Sequence, residues 1–493
     1  MIKLIKNELI KIFSKKSLYI ILLLIFIAIF YTTYKSQKEE EYSEYWIYIT
    51  NKNLEISSID TTTYQGLVEY TRLKTDIEIA KSIKDNYGEE SWQMQVYFQS
   101  NNIAHDMFFD YVFLEQQKIC FEGEKYEFEE IIDQEESKKK FDSINNIFKN
   151  NDWIEFAKLL ISKYEGNIED IKTNKDNLYD EKEIKEIIRE NEVKISSLEM
   201  RIKENIPFAF DYLNEAIQEY ELSTMGLYYI KNNNDDEYTN KLAYQQFKER
   251  QAKSIYIIEN KQDIQNTYTS RYRIGSVFNL ENQQIYIVLL IILVTAVIVS
   301  EEYNKGTIKQ LLIRPYTRMQ IIVSKFVASI CVMITITVLV VLMVCISNIM
   351  IYGTDTLNIP MIIYNFNEER IVSMNMFEYL CVQFALKLPM FLSICIIAFG
   401  CSTIFGSTII ASIAPIFVYF FNILGVTGIN EKTILYTRYF LTTNWDLSNY
   451  LFGKLPEFEV MNVNFSIAII LIYFILILIP TFVFFIKGDI KNR

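Results

Sequence analysis

A helix that crosses the roughly 30 Å hydrocarbon layer of a bilayer needs about 20 apolar residues in succession. This chain has six stretches that approach or exceed that length: 17–34, 284–300, 326–351, 377–401, 407–424 and 465–486. None shows the period-2 alternation of a membrane barrel, so the backbone polar groups must be satisfied within helices. The first stretch, SLYIILLLIFIAIFYTTY, follows a lysine-rich start as a signal peptide would. Its flank, YTTYKSQKEEE, is aromatic and charged and offers no small-residue cleavage site, so the stretch is read as an uncleaved anchor. The expected fold class is an all-α membrane protein with six transmembrane helices.

Charge divides the chain. Residues 35–283 carry 31 Lys+Arg against 49 Asp+Glu, a net of −18, whereas the segments on either side are apolar and slightly basic. The middle is therefore expected to be a water-facing domain inserted between helices 1 and 2. Its acidic field would repel phosphate, which argues against nucleic acid as a partner. Only Cys120 of the six cysteines falls in it, so no internal disulfide can form there, and the single histidine, His105, has no cysteine at metal-ligand spacing. No metal site is expected.

Within that domain, Trp153, Phe156, Ala157, Leu160, Ile161 and Tyr164 recur at helical spacing. Ile184, Ile188, Ile195, Leu198 and Ile202 follow a heptad-like track interrupted by Asn191. Pro207 breaks the pattern, and Leu213, Ile217 and Tyr220 resume it. A mainly helical, coiled-coil-like domain is expected, with 231–240 as a loop; strands remain open for 36–125. The acidic, tyrosine-rich surface reads either as a solvated face or as a receiver for a cationic substrate or partner.

Lys and Arg near span ends set orientation. Lys3, Lys6, Lys11, Lys15 and Lys16 precede the first span; Lys305, Lys309, Arg314, Arg318 and Lys325 follow the second; Lys487, Lys491 and Arg493 end the chain. With six spans all three groups fall on one face, the cytoplasmic one. Both termini are then expected in the cytoplasm of a cell-membrane protein, with 35–283 extracellular.

Two segments on that face carry functional expectation. Residues 1–16 form an amphipathic helix, with Ile2, Ile5, Leu9, Ile12 and Phe13 on one side and lysines off it. It is either a membrane-entry flank or an elbow that touches a cytoplasmic partner. The loop 301–325 begins with Glu301 and Glu302; Gly306 and Thr307 read as a break and a cap, Leu311 and Leu312 as one apolar side of a short helix, and Pro315 as its stop.

This loop, at this place between two spans, resembles that of the permeases of type-2 ATP-binding-cassette exporters. The match is carried by Glu301, Glu302, Gly306, Thr307, Leu311, Leu312, Pro315, Arg318 and Lys325. The resemblance covers the start and roughly the last 210 residues and implies a coupling helix that docks on an ATPase subunit, those residues up to Arg318 forming the contact. It implies a permease without catalytic residues, paired with a second copy or a related permease, with ATP and Mg bound on the partner ATPase. The sequence agrees in lacking any Gly-x4-Gly-Lys-Ser/Thr loop. Export of an antimicrobial peptide or lipid-like compound is the family-based expectation for substrate. A membrane-anchored extracellular sensor is the alternative. Lys387, within CVQFALKLPMFLSIC, faces a cavity or pairs with an acid if it lies in the membrane, or else sits at the interface.

Overall fold

The computed structural model describes residues 1–38, 44–99, 103–122, 133–173, 180–232, 237–262, 280–308, 310, 315–354, 360–425, 436–456 and 461–488. The chain divides into two compact units, one comprising Met1–Lys38 and Tyr272–Arg493, the other Glu39–Asp263. The first opens with α1 (Ile2–Phe13) and α2 (Lys16–Lys38).

The second unit is helical throughout its described residues: α3 (Glu44–Ser57), α4 (Tyr64–Tyr87), α5 (Trp92–Gln99), α6 (Ile103–Cys120), α7 (Gln134–Lys149), α8 (Trp153–Thr173), α9 (Glu181–Lys203), α10 (Tyr212–Asn232) and α11 (Glu237–Asn260). Strands, left open for 36–125, do not occur among the described residues there. Side-chain caps start several helices: Thr63 accepts from the Gly66 N–H, Asp133 from Glu135 and Glu136, and Asp180 forms a capping box with Glu183. The expected loop 231–240 is shorter than read, because helix occupies it up to Asn232 and again from Glu237. The core is aromatic, with Trp92 packed on Phe148, Phe156 and Phe208 at ring separations of 5.0, 5.7 and 6.2 Å. The helical track 156–164 buries Phe156, Ala157, Leu160 and Tyr164 as its spacing requires. Asn191, the break in the heptad-like track, is buried and donates to the Ile187 carbonyl of its own helix. Between α10 and α11 the contact is close, since a Cβ on Gly226 would come within 2.4 Å of the Phe247 ring.

The first unit continues with α12 (Leu280–Asn304), α13 (Arg318–Tyr352), an antiparallel hairpin of β1 (Met361–Asn365) and β2 (Arg370–Met374), α14 (Met376–Phe405), α15 (Thr408–Gly425), α16 (Leu441–Asn444), a 3-10 helix (Leu447–Gly453) and α17 (Val463–Lys487). Among the described residues five helices are long and apolar enough to cross a membrane: Lys16–Lys35, Gln284–Asn304, Arg318–Ile351, Glu378–Phe405 and Val463–Lys487. The stretch expected at 407–424 is α15, whose apolar part Thr408–Phe420 is shorter and holds Pro415, which cannot donate to the helical ladder. Apolar side chains point outward in quantity, among them Leu23, Leu24 and Ile27 on α2 and Leu471, Ile475 and Leu476 on α17. A water-soluble surface does not carry such stripes; lipid accepts them.

The helix boundaries on either side of the 301–325 loop differ from the expected ones. The third apolar helix starts at Arg318 rather than 326, because Thr317 and Gln320 form a capping box there. With α12 reaching Asn304, the loop 301–325 is shortened at both ends. The segments 352–376 and 425–464, read as loops, contain the hairpin and α16 with the 3-10 helix. The Phe366 N–H donates to the Phe452 carbonyl at 2.8 Å, joining these two pieces.

Candidate functional site

The ends of α1, α12 and α13 meet in a cluster of charges. Lys325, on α13, has no exposed surface. Its ammonium donates to both oxygens of Glu8 at 2.9 Å, to the Ile298 carbonyl at 3.2 Å and to Glu302 at 3.4 Å. Glu302, itself 4% exposed, also accepts from Lys11 of α1 and from the Thr307 hydroxyl. Glu301 accepts from Lys15 and, at 2.6 Å, from Lys305. A buried ammonium is costly unless every proton finds an acceptor. Here three protons meet two carboxylates and a carbonyl, so the lysine is fully engaged and three helices are fixed to each other.

The pattern that builds this cluster is local as well as tertiary. On α1, Glu8 and Lys11 stand three residues apart on one face, and Lys15 follows in the break between α1 and α2. Sequence reasoning had the lysines of α1 turned to headgroups; Lys11 and Lys15 turn instead to protein carboxylates. Gly306 terminates α12 with φ +67, a left-handed conformation costly for a side-chain-bearing residue, and its N–H donates to the Tyr303 carbonyl. Arg318 donates to the Ile486 and Gly488 carbonyls at 2.9 and 3.0 Å, placing a cation on the C-terminal carbonyls of α17. Thus Glu301, Glu302, Thr307, Arg318 and Lys325 belong to one end of the bundle and are engaged within the chain, while Pro315 lies in the bend before α13. Leu311 and Leu312 lie outside the described residues.

A second polar cluster lies toward the other end of α12. Lys387 on α14 is fully buried and pairs with Asp446 at 2.7 Å, with Gln284 at 3.5 Å. The acid that sequence reading lacked is thus 59 residues away. Asp446 also accepts from the Ser448 N–H at 3.0 Å and so starts the 3-10 helix. Beside it Asn444 holds the segment in place, donating to the Arg438 and Phe440 carbonyls and accepting from Ser466 of α17. Asp446 is the single acid between Glu431 and Glu457, a scarcity that could have singled it out. Gln284 and Glu302 are separated by about 27 Å along α12 at 1.5 Å per residue, close to a hydrocarbon thickness. The two charged clusters thus stand about one hydrocarbon thickness apart along α12.

Between them, hydroxyls and a thiol link helices. Ser402 of α14 donates to the Ala296 carbonyl of α12 and accepts from the Ser300 N–H, at 2.8 and 2.9 Å. Cys395 bonds Ser329 at 3.5 Å. Such contacts pack helices together; Thr403 bonds only its own helix. Among the described residues no group of three or more His, Cys, Asp or Glu is placed to hold a metal ion.

The chain is similar to the uncharacterized protein YhcI of Bacillus subtilis (strain 168), at 29% identity over 206 residues, 41% of this chain and 64% of that protein. The matched part thus spans less than two thirds of the relative's length. No solved structure matches. Residues 242–491, the half of the chain that carries α12–α17, match a family, and on that match the chain belongs to the family described as "Protein of unknown function (DUF2705)".

Proposed function

We propose that the chain is the membrane-spanning permease subunit of an exporter of the type-2 ATP-binding-cassette class. In this reading six helices cross the cell membrane, α15 among them. Both termini and the 301–325 loop are cytoplasmic, and residues 35–283 form an extracellular domain. The permease works with a second copy or a related permease and with separate ATPase subunits that bind ATP and Mg. An antimicrobial peptide or a lipid-like compound is the substrate class, as the resemblance implies.

The observation that supports this most is the mount of the loop. The chain from Lys305 to Thr317 leaves α12 beside Glu301 and Glu302, which are tied to α1 and to Lys325 of α13, and it returns to α13 beside Arg318, which is tied to α17. A force on the loop would therefore reach four helices together instead of bending one. That is the property a coupling element needs, since a push transmitted through a slack hinge would be lost. The charged residues serve the mount, leaving Leu311 and Leu312 as the anchors for a partner groove.

Truncating a well-packed interface anchor costs about 2 kcal/mol or more, and a rim charge much less. Leu311→Ala with Leu312→Ala should weaken co-purification of the ATPase subunit or uncouple its hydrolysis from transport, with normal membrane insertion, while Lys309→Ala does little. Pull-down and ATPase rate in nanodiscs measure this. Unchanged association and coupling in the double variant would remove the reading and favour the sensor alternative, which has no ATPase to lose.

A further inference from the structure

The helical unit formed by α3–α11 contains a cavity of about 260 Å³ between α5, α8, α9 and α10. Its walls are apolar in part, with Leu160, Val193, Ile217, Met225 and the Phe208 ring, and the lining includes the exposed Leu222 and Gln218. Of the four charged residues that line it, Glu190 and Lys194 pair with each other at 2.8 Å, which leaves Arg201 and the half-buried Glu221, of opposite sign. Arg201 is 6% exposed and lies face-on to Phe208, 4.0 Å from the ring centre. One terminal nitrogen donates to the Asn214 side-chain oxygen and, at 3.4 Å, to the Ile206 carbonyl, while Nε is buried without a hydrogen-bond partner. Among the described residues no carboxylate comes within 4.0 Å of this guanidinium; Glu221 and Asp211 act on it only at longer range. Glu221 accepts from the Ser197 hydroxyl.

A buried guanidinium held by neutral acceptors is an unbalanced arrangement, because desolvation is offset only when a counter-charge completes it. Burial already pulls Arg201 down to about 10 and pushes Glu221 up. A purely anionic guest would meet Glu221, a purely cationic one would meet Arg201, and a neutral apolar one would leave both unpaired. We propose that this cavity is a binding site for a small zwitterion with an apolar body, its carboxylate against Arg201 and its ammonium against Glu221. That chemistry is shared by free hydrophobic amino acids and short apolar peptides. The volume suits a guest smaller than a drug-sized ligand. The assignment does not rest on the transport reading.

The test is equilibrium dialysis of the full chain in nanodiscs with radiolabelled phenylalanine and leucyl-leucine, each competed by its N-acetyl and C-amide derivatives. Saturable binding at one site is expected, with the derivatives competing about tenfold or more worse, since each leaves one buried charge unpaired. Phenylalanine alone binding identifies a free amino acid as the guest; leucyl-leucine alone identifies a peptide. Glu221→Gln keeps an acceptor for Ser197 and removes the charge, and Met225→Trp fills the cavity from a half-buried wall position; each should weaken binding about tenfold or more, with an unchanged circular dichroism spectrum. No saturable binding of either probe, equal competition by the derivatives, or wild-type affinity in both variants would overturn the proposal.

Discussion

Removing the carboxylate at Asp446 should destabilise the apolar unit far more than removing its partner Lys387, although the two form one ion pair. Lys387 is fully buried, and its other polar neighbour is Gln284 at 3.5 Å, whereas the Asp446 side chain keeps 19% of its surface exposed. Asp446→Asn retains the acceptor that holds the Ser448 N–H and leaves a buried ammonium without a counter-charge. Breaking a buried pair in this way costs about 3–5 kcal/mol, and the neighbouring glutamine puts the estimate near the low end, about 3 kcal/mol. Asp446→Ala loses the helix cap too, about 1 kcal/mol more. Lys387→Met removes the buried charge and leaves a carboxylate that can recover water, for about 1 kcal/mol. The double variant Lys387→Met with Asp446→Asn should resemble the methionine single variant, an interaction energy of about 2–3 kcal/mol in the cycle. Reversible unfolding in mixed detergent, followed by circular dichroism and by 5-fluorotryptophan resonance, measures it. Trp445, 2% exposed and next in sequence to Asp446, reports the site directly. Equal costs for Asp446→Asn and Lys387→Met, or a cost for Asp446→Asn within about 0.5 kcal/mol of zero, would refute the reasoning.

Three further outcomes are expected. Lys325→Met should cost about 3 kcal/mol and free α1, read as faster amide exchange at Leu9 and Ile12 than at α12; unchanged exchange there would mean that the charges do not hold the helix. Gly226→Ala should cost about 1–3 kcal/mol by overpacking Phe247, and adding Phe247→Ala should recover part of the loss; a neutral Gly226→Ala would mean that the two helices separate freely. In the helical unit, His105 lies between the rings of Tyr97 and Phe109 with Nε2 2.8 Å from Asp76. Burial opposes its charge, but the bond and field of Asp76 prevail and raise its pKa above the ordinary 6.5. Burial likewise opposes the Asp76 charge, and His105 with Lys52 brings it below the ordinary 3.8. The histidine's contribution is complete below its unfolded pKa and lost as pH rises through its raised folded value. The aspartate's is complete above its unfolded value and lost as pH falls through its lowered folded one. Melting temperature should therefore decline as pH rises from the unfolded-state value through His105's raised folded one, and His105→Gln should abolish that decline in melts between about pH 5 and pH 9; an identical decline in the variant would exclude this pair as its source.

The apolar helices were legible because a run of about 20 apolar residues carries its own reason to be helical in lipid, and the 156–164 track because its period survives in any context. What escaped depends on distance or on weak local signals. Helices α3–α6 are dense in aromatic residues on several faces, so YITNKNLEIS and WQMQVYFQ show no clean stripe. The hairpin turns through Phe366–Glu369, NEE instead of the Asn-Gly or Asp-Gly that marks a tight turn. At the charged sites, composition showed which charges stood near the apolar runs but not with whom they pair. Glu301 and Glu302 were read as facing a partner chain, and the structure has them facing Lys11, Lys15 and Lys325. Lys387 was singled out correctly as a charge that needs an account, yet its acid lies beyond a whole helix, in a stretch read as loop.

The clamp between α1 and α12 also has a clock. Lys11 and Glu302 are 291 residues apart, and Lys15 and Glu301 are 286 apart. At about 5–20 residues per second, synthesis leaves the two lysines waiting roughly 15 to 60 seconds for their glutamates. During that interval they are bare cations beside the first apolar helix, which is when that helix takes its orientation and when flanking positive charge weighs most. Once the second apolar helix arrives, the same charges are neutralised and bind the two helices together. A signal read early by the insertion machinery is thus reused later as a fastener, and a lysine deleted for its structural role would first be missed during biogenesis.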